Sequence, residues 1–291
     1  MDTASRRRLY GKKILIGDIP IFIFLGIVFF FNFYPFFYVL GQSVMPYENS
    51  LRNINWGFNG FTLFYFQQIL QDPSLIRAFG MSLLRTFVGT SLNVCTTMAC
   101  AYALSRNKMK IQGFLTVLFL IPMFFSAGLI PYFLTITFYG LRNTFWVLVL
   151  PGLISPMWLF VTKAHLTSYP QEILDAAHID GAGQFKVFWK IVWPTSLPII
   201  STLIMMYGIG HWNEFFWTRL LVERNLWTAP VHLFGMMHAR VTLQGLGLGI
   251  RMQPTSFISA IAAVMIIPVF VVYPFIQRYI VSGMTMGAVK G

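Results

Sequence analysis

Apolar residues along this chain fall into long runs separated by shorter polar stretches. The first run covers residues 19–40, about 22 residues, which is enough to cross a bilayer as a helix at 1.5 Å per residue. Five more runs follow, so the pattern predicts six membrane-spanning helices. They are placed at about residues 19–40, 79–104, 111–133, 144–161, 197–217 and 257–275.

Prolines interrupt two of these runs. The third contains Pro122 and Pro131, and the fourth contains Pro151 and Pro156. Proline lacks a backbone donor and clashes with the preceding turn, so both helices should be kinked or broken. In lipid, such breaks persist only where neighbouring protein or water satisfies the freed backbone groups. The third span is therefore expected to face other helices.

Composition agrees with a membrane protein. Hydrophobic residues make up 56% of the 291 residues and charged residues only 10%, whereas soluble domains carry roughly 25% charged residues. The chain is therefore predicted to be an all-α membrane protein whose residues 1–291 form a single transmembrane domain.

The formal net charge of +12 raises the possibility of a nucleic-acid partner, but the positions of the lysines argue against one. They lie in the two terminal tails and in two connecting loops, which six spans place on the same side of the membrane. Positive charge concentrates on the cytoplasmic side of membrane proteins. Both termini are thus expected in the cytoplasm, with lipid around the spans. The lysines are Lys12, Lys13, Lys108, Lys110, Lys163, Lys186, Lys190 and Lys290.

The cytoplasmic loop at about residues 163–196 contains the most polar part of the chain, and its prolines and glycines mark clear helix starts and stops. Pro170 suits the first turn of a helix, which should run to about Asp180. Gly181 then supplies a stop, because glycine adopts the left-handed conformation that commonly ends a helix. We call residues 170–198 the docking segment, although an ordinary cytoplasmic loop with two helical turns is the alternative.

A second short helix is predicted after this turn. Phe185, Phe188, Trp189 and Val192 recur at helical spacing on one face, and Pro194 should close the helix. The paired small residues Ala176 and Ala177 beside the glycine turn favour docking, because they let a foreign backbone approach closely. Another protein is therefore the expected partner of this segment.

Motifs for catalysis are weak. No stretch matches the phosphate-binding G-x-x-x-x-G-K-[ST] loop, so the chain should not hydrolyse ATP itself. Gly245, Gly247 and Gly249 form a G-x-G-x-G in a predicted outer loop, without a preceding buried strand. His232 and His238 lie in the same loop without ligands at metal-binding spacing. No catalytic residue, metal site or cofactor is predicted.

Four polar or aromatic residues are candidates for a translocation path. Asn93 lies near the middle of the second span, and Trp212, Asn213 and Glu214 lie near the outer end of the fifth. An acidic residue in a membrane span is costly and therefore needs a reason. Glu214 could instead form a structural pair with an arginine such as Arg219.

The docking segment resembles a known motif. Asp175-Ala176-Ala177 is followed after three residues by Gly181 and after nine more by Ile191-Val192-Trp193-Pro194. This pattern is similar to the EAA loop of permease subunits in binding-protein-dependent ABC importers. Asp175 replaces the usual Glu and Trp193 the usual Leu. Further similarity to the carbohydrate branch, the maltose-type second permease and the alginate-type subgroup is carried by Asp180-Gly181-Ala182, Trp212-Asn213-Glu214-Phe215 and residues 125–131 and 283–291.

The resemblance implies a type I ABC importer permease fold with a cytoplasmic coupling helix, in the bacterial cytoplasmic membrane. It implies a heterodimer with a homologous permease, two ATP-binding subunits that hold the ATP, an extracytoplasmic solute-binding protein and a saccharide substrate. The residues that it assigns to ATPase coupling are Asp175, Ala176, Ala177, Asp180, Gly181, Phe185 and Pro194.

The leading hypothesis is a non-catalytic translocation subunit that moves an oligosaccharide or polysaccharide by alternating access. A proton-coupled secondary transporter that uses Glu214 is the alternative, and it would need acidic residues near the middle of the membrane. An integral membrane enzyme with His211 and Glu214 as acid and base is a third possibility, for which the sequence offers no nucleophile or metal cluster.

Overall fold

A computed structural model describes residues 19–46, 60–106, 110–245 and 254–288, and all regular structure in these ranges is helical. Lys12, Lys13, Lys108, Lys290, Gly247 and Gly249 lie outside the described residues. The helices are α1 (Ile19–Ser43), α2 (Phe64–Leu70), α3 (Pro73–Ser105), α4 (Gln112–Phe124), α5 (Leu129–Phe138), α6 (Pro156–Thr167), α7 (Gln171–Ile179), α8 (Gln184–Thr195), α9 (Leu197–Asn213), α10 (Phe216–Leu221), α11 (Ala229–Gly245) and α12 (Pro254–Ala288).

The chain divides into two compact units, residues 1–67 with 244–263, and residues 68–243 with 264–291. The first unit contains α1, a helix of 25 residues whose surface is apolar and almost entirely exposed. The amide of Asn32 donates to the Val28 carbonyl 2.7 Å away, which satisfies this polar group within the helix. Such a surface suits lipid rather than water.

The second unit is organised around α3, which has 33 residues and would extend about 50 Å at 1.5 Å per residue. Its start is encoded locally: Asp72 caps the helix by accepting from the Ser74 amide at 2.9 Å, and Pro73 occupies the first position. A core of fully buried side chains joins α3, α6 and α9, including Met98, Leu159 and Leu203.

Breaks occur in the proline-rich spans, as the sequence predicts. Gly128, with φ +80°, lies in the interruption between α4 and α5. Two 3₁₀ turns, Phe145–Leu148 and Leu150–Gly152, precede α6 at an angle of 49°. Buried protein groups satisfy the freed backbone here, since the Asn93 amide donates to the carbonyls of Gly152 and Leu153 at 2.6 and 3.0 Å.

Within the described ranges, three helices are long and apolar enough to cross a membrane, and the number rises to five if each of two bent pairs counts as one span. The predicted outer loops at residues 41–77 and 218–255 are not simply irregular, because they contain α2, α10 and α11. Apolar residues explain this difference: Leu221, Val231 and Leu233 are buried, which stabilises short helices that a loop assignment misses.

Candidate functional site: the docking segment and a polar network in the membrane

The two helices of the docking segment meet at a tight turn around Gly181. α7 ends where the Asp180 amide donates to the Ala176 carbonyl, and the Ala182 amide donates back to Ala177 at 2.9 Å. Gly181 has φ +77°, which confirms the left-handed stop predicted from the sequence. A side chain added at Gly181 would meet no other atom within 4 Å, so the turn opens onto free space.

A chain of polar contacts fixes this turn to the end of α3. The Tyr102 hydroxyl donates to Gln184 Oε1 at 2.8 Å, and Gln184 Nε2 lies 3.1 Å from His178 Nε2. His178 Nδ1 lies 2.9 Å from the Ala182 carbonyl. His178 Nδ1 can donate to the Ala182 carbonyl while Nε2 accepts from the Gln184 amide. α3, α7 and α8 are thereby joined around the glycine turn.

α8 is not a regular helix. A π-helical turn at Phe188–Val192 widens it, and the Trp193 amide donates to the Phe188 carbonyl. The prediction that Pro194 closes the helix is wrong by one residue, since α8 continues to Thr195 and the chain then bends by 80° into α9. Pro194 has no amide to donate, which is compatible with the widened turn that precedes it.

The single apolar face predicted for this helix is also wrong. Phe188 and Val192 are buried, as is Val187, whereas Phe185 is 77% exposed and Trp189 is 41% exposed. The π turn changes the register, so one set of side chains packs inside the protein and the other faces outward. An outward apolar pair of this kind is typical of a surface that another protein covers.

The other predicted docking residues lie beside this pair. Asp175, Ala176 and Asp180 are exposed, whereas Ala177 is buried against the core. Ile179 is 87% exposed immediately before the turn, and sequence reasoning did not single it out. The sequence does carry a signal for it, because a large apolar residue two positions before a helix-ending glycine is unusual in a turn that faces water.

A second polar site lies within the membrane region, around Arg85 of α3. The Arg85 guanidinium donates to Glu214 Oε2 and to Thr218 Oγ1, each at 2.7 Å, and its Nε donates to the Leu148 carbonyl at 3.2 Å. Glu214 Oε1 accepts from the Trp217 amide at 2.6 Å, which caps α10. Arg85 is 4% exposed. The partner of Glu214 is therefore Arg85 and not Arg219, the arginine suggested from the sequence.

Asn93 and His211 form the adjoining contact. The Asn93 carbonyl oxygen lies 2.8 Å from His211 Nε2, while its amide bonds to the broken span, as described above. Gly89 allows this arrangement, since a Cβ at that position would lie 2.5 Å from His211 Nε2. His211 therefore contacts Asn93 rather than Glu214, its proposed partner in an enzyme.

The polar network and the docking segment contact α3 at two separate places. Tyr102 and Arg106 bond to the docking segment, the latter through Gln171 at 3.1 Å. Arg85 is 17 positions before Tyr102 and therefore about 25 Å away along the helix. A spanning helix thus connects the docking segment to the polar network.

An apolar groove of about 510 Å³ runs along α3, α9 and α12, and Trp212 forms part of its wall. The Trp212 indole also donates to the Met265 carbonyl at 3.1 Å. Asn213 is exposed, and its amide has no hydrogen-bond partner among the described residues. Cys95 lines the groove and Cys100 packs against the core.

Three pairings escaped the sequence reasoning: Arg85 with Glu214, Tyr102 with Gln184, and His232 with Asp72 at 2.8 Å. The partners in each are far apart in sequence. A buried arginine in a span is itself a signal, because it requires a counter-charge.

Comparisons with known proteins agree with these features. Protein LplC of Bacillus subtilis is 31% identical over 281 residues, which cover 95% of each chain. The polygalacturonan/rhamnogalacturonan transport system permease protein YtcP of the same bacterium is 30% identical, covering 88% of this chain and 92% of the relative.

Solved structures share the fold. A bacterial ABC transporter involved in the import of the acidic polysaccharide alginate matches with a TM-score of 0.83 at 22% identity, covering 92% of this chain and 99% of the other. A bacterial alginate ABC transporter in complex with an alginate-pentasaccharide-bound periplasmic protein matches with a TM-score of 0.54 at 14% identity. The fold is that of a type I ABC importer permease. Residues 93–286 match the model of the binding-protein-dependent transport system inner membrane component, and the chain belongs to that family.

Proposed function

We propose that this chain is the translocation subunit of an ATP-driven importer of complex saccharides. The observation that carries the proposal is the docking segment: two short helices, a left-handed glycine turn with open space beside it, and exposed apolar side chains at Ile179, Phe185 and Trp189. A surface of this kind is suited to a cleft in another protein.

The conformational change driven by ATP hydrolysis would be transmitted to this chain through the docking segment. Asp175, Ala176, Asp180 and Gly181 are accessible to an ATPase subunit. Ala177 packs against the core on the inner side of the segment, Pro194 is exposed at the end of α8, and the contact between Tyr102 and Gln184 transmits the displacement of the segment to α3. Alternating access would follow when two such permeases turn together.

Saccharides are the substrate class that we favour. The relatives named above include a permease for polygalacturonan and rhamnogalacturonan, and the similar structures belong to alginate transporters. Trp212 in the groove and the unpartnered Asn213 are candidates for direct contact with a sugar. Asn93 and Glu214 would shape the path indirectly, by fixing the broken span and α10.

The proposed assembly contains a homologous permease, two ATP-binding subunits and an extracytoplasmic binding protein. The family description names binding-protein dependence, and one similar structure is a complex with a periplasmic protein. We place both termini and the docking segment in the cytoplasm, which agrees with lysines at 163, 186 and 190.

The alternative, proton coupling through Glu214, has less support. Its carboxylate accepts from Arg85, the Thr218 hydroxyl and two backbone amides, and it caps α10. These donors stabilise the ionised form, whereas a transport carboxylate has to gain and lose protons.

A glycine replacement tests the coupling role. Asn adopts the left-handed conformation more readily than most residues, so Gly181→Asn adds bulk with little backbone strain. In the transporter assembled with the subunits encoded beside it, we expect this variant to lose binding-protein-stimulated ATP hydrolysis while remaining in the membrane. Gly140→Asn is the matched control, because Gly140 also has a positive φ, +65°, and open space beside it.

Full stimulated hydrolysis in Gly181→Asn would contradict the docking assignment. Uptake by this chain alone in liposomes with a proton gradient would favour the secondary transporter instead.

A further inference from the structure

A polar pocket of about 520 Å³ lies where the turn after α5 meets the segment after α10. Its volume is within the roughly 300–1,000 Å³ typical of small-ligand sites. None of the residues predicted from the sequence to have a function lines it. The side chains that define it are Arg142, Asn143, Arg219, Glu223, Arg224 and Trp227, and we call it the arginine pocket.

Charge in the arginine pocket is unbalanced. Three arginines face one glutamate, which leaves two positive charges in excess. Among the described residues, none of these arginines lies within ion-pair distance of a carboxylate. Arginine on this side is also unexpected, because the topology proposed above places it outside the membrane, against the usual cytoplasmic bias.

Two of the guanidinium groups share one aromatic ring. Arg219 lies 4.7 Å from the centre of the Trp227 ring, and Arg224 lies 5.6 Å from it. Two cations held near the same ring repel each other, and an anion between them would relieve that repulsion. The arrangement therefore favours a bound negative group.

The walls of the arginine pocket are held in place by the backbone. Asn143 takes the left-handed conformation with φ 56°, and its amide donates to the Leu221 carbonyl at 2.9 Å. Its side-chain oxygen accepts from the Glu223 amide at 3.1 Å. The Trp227 indole donates to Val222 at 3.3 Å. These bonds fix the backbone and the Trp227 ring around the pocket, while the side chains of Arg142, Arg219 and Arg224 are exposed and reachable by a ligand. A backbone that is already ordered lowers the entropic cost of binding.

The pocket lies beside the part of α3 that is remote from the docking segment. Thr218, which precedes Arg219, bonds to Arg85, and Arg85 is about 25 Å along α3 from Tyr102. A substrate released from an external binding protein would meet this end first.

We propose that the arginine pocket binds a carboxylate of an acidic saccharide, such as a uronate oligomer, at the outer entrance. Arginine forks match the two oxygens of a carboxylate, and the side-chain NH₂ group of Asn143, which lines the same pocket, can donate to a sugar hydroxyl. A concave, polar pocket of about 520 Å³ suits one or two sugar units better than the flat surface of another protein. This inference rests on the proposed saccharide import and specifies its substrate class.

Two probes of equal size but different charge test it. Trigalacturonate and its neutral methyl ester are supplied, with the binding protein, to the assembled transporter in phosphatidylcholine liposomes. For the Arg219→Gln/Arg224→Gln variant we expect a KM about tenfold higher for trigalacturonate, with kcat unchanged and the KM for the methyl ester within about twofold of wild type. Arg77→Gln removes an exposed arginine outside the pocket and should change neither probe.

Several results would overturn the inference. If the double variant changed the KM of both probes equally, or of neither, the arginines would not recognise the carboxylate of the saccharide. Weaker association with the binding protein for both probes would assign the arginines to protein docking, and an effect seen only in phosphatidylglycerol liposomes would assign them to lipid phosphate. If the transporter took up the methyl ester but not trigalacturonate, the proposed carboxylate site would be wrong while saccharide import would stand. If it took up neither probe, nor any other saccharide, in an ATP-dependent manner, saccharide import itself would be wrong. An unchanged unfolding temperature confirms that the variants fold.

Discussion

The Arg85 guanidinium holds the Glu214 carboxylate at 2.7 Å across 129 positions of sequence. Thr218 contacts both partners, since its hydroxyl lies 2.7 Å from Arg85 and 2.6 Å from Glu214 Oε2. The Leu148 carbonyl completes the coordination of the arginine. One buried ion pair therefore joins α3, a 3₁₀ turn of the broken span and the cap of α10.

Replacing Arg85 with Met should be strongly destabilising. The change leaves the Glu214 carboxylate, which is 20% exposed, without its counter-charge, and this costs about 3 kcal/mol, the lower end of the range for buried pairs. The double variant Arg85→Met/Glu214→Gln should recover part of this loss, because no unpaired charge remains. Chemical unfolding of the purified chain in detergent measures both. Arg77→Met, at an exposed arginine of the same helix, is the control, and simple additivity in the double variant would argue that the pair is not coupled.

Gly89→Ala should disturb the contact between α3 and α9. The added methyl group would lie 2.5 Å from His211 Nε2, and overpacking of this kind costs about 1–3 kcal/mol. Gly208→Ala is the matched change, because its methyl group would meet only Thr90 Oγ1 at 3.7 Å and alanine favours a helix. We expect a lower unfolding temperature for the first variant alone, and partial recovery when His211→Ala is added. Equal behaviour of the two glycines would mean that the neighbouring imidazole moves away freely.

Tyr102→Phe should loosen the docking segment without unfolding the protein. The variant loses the hydrogen bond to Gln184, worth about 1 kcal/mol, so amide exchange across residues 171–195 should be faster by a factor of about 5. Hydrogen–deuterium exchange with mass spectrometry resolves that segment. Tyr139→Phe is the control, because Tyr139 is 70% exposed and its hydroxyl has no bonding partner in the described part of the chain. Unchanged exchange in Tyr102→Phe would show that the polar chain does not hold the turn.

Acid should weaken the contact between the side chains of Asp72 and His232. Burial alone would raise the pKa of Asp72, but the hydrogen bonds from His232 and Ser74 and the attraction to His232 together lower that pKa below its ordinary value of 3.8. The unfolded chain then takes up the proton more readily than the folded one. The stabilisation is therefore complete above about pH 4 and is lost as the pH falls further.

The unfolding temperature, measured between about pH 3 and 6, would test the contribution of this contact to stability. Asp72→Asn keeps a residue that caps helices equally well, so it should remove the acid-dependent part of the stability without removing the cap of α3. A variant with the same pH profile as the wild type would contradict the assignment.

Local features of this protein could be predicted from its sequence because their causes are local. The turn at Gly181 depends on the absence of a Cβ, and the breaks at residues 125–128 and 153–155 lie in stretches that contain proline and glycine. Partner choice could not be predicted in the same way. Glu214 has Arg219 nearby in sequence but pairs with Arg85, because the packing of α3 against α9 decides which cation is within reach. Arg219 is left free to lie on Trp227.

The register of α8 was missed for a related reason. A stripe of Phe185, Phe188, Trp189 and Val192 predicts one face only if every turn is regular, and a single π turn divides that stripe between inside and outside. Such turns depend on tertiary packing and leave no clear mark in composition.

The 80° bend between α8 and α9 has a mechanical consequence. At 1.5 Å per residue, the arm from Gln184 to Thr195 is about 18 Å long and the arm from Leu197 to Asn213 about 26 Å. If α8 and α9 rotated together as one rigid unit about Ser196, a shift of about 2 Å at the start of α8 would become about 3 Å at the end of α9. Glu214 follows that end of α9, so a shift of this size relative to α3 would break its 2.7 Å contact with Arg85 unless the arginine moved with it. The ion pair between Arg85 and Glu214 would then have to move with α9, or break, each time the docking segment is displaced.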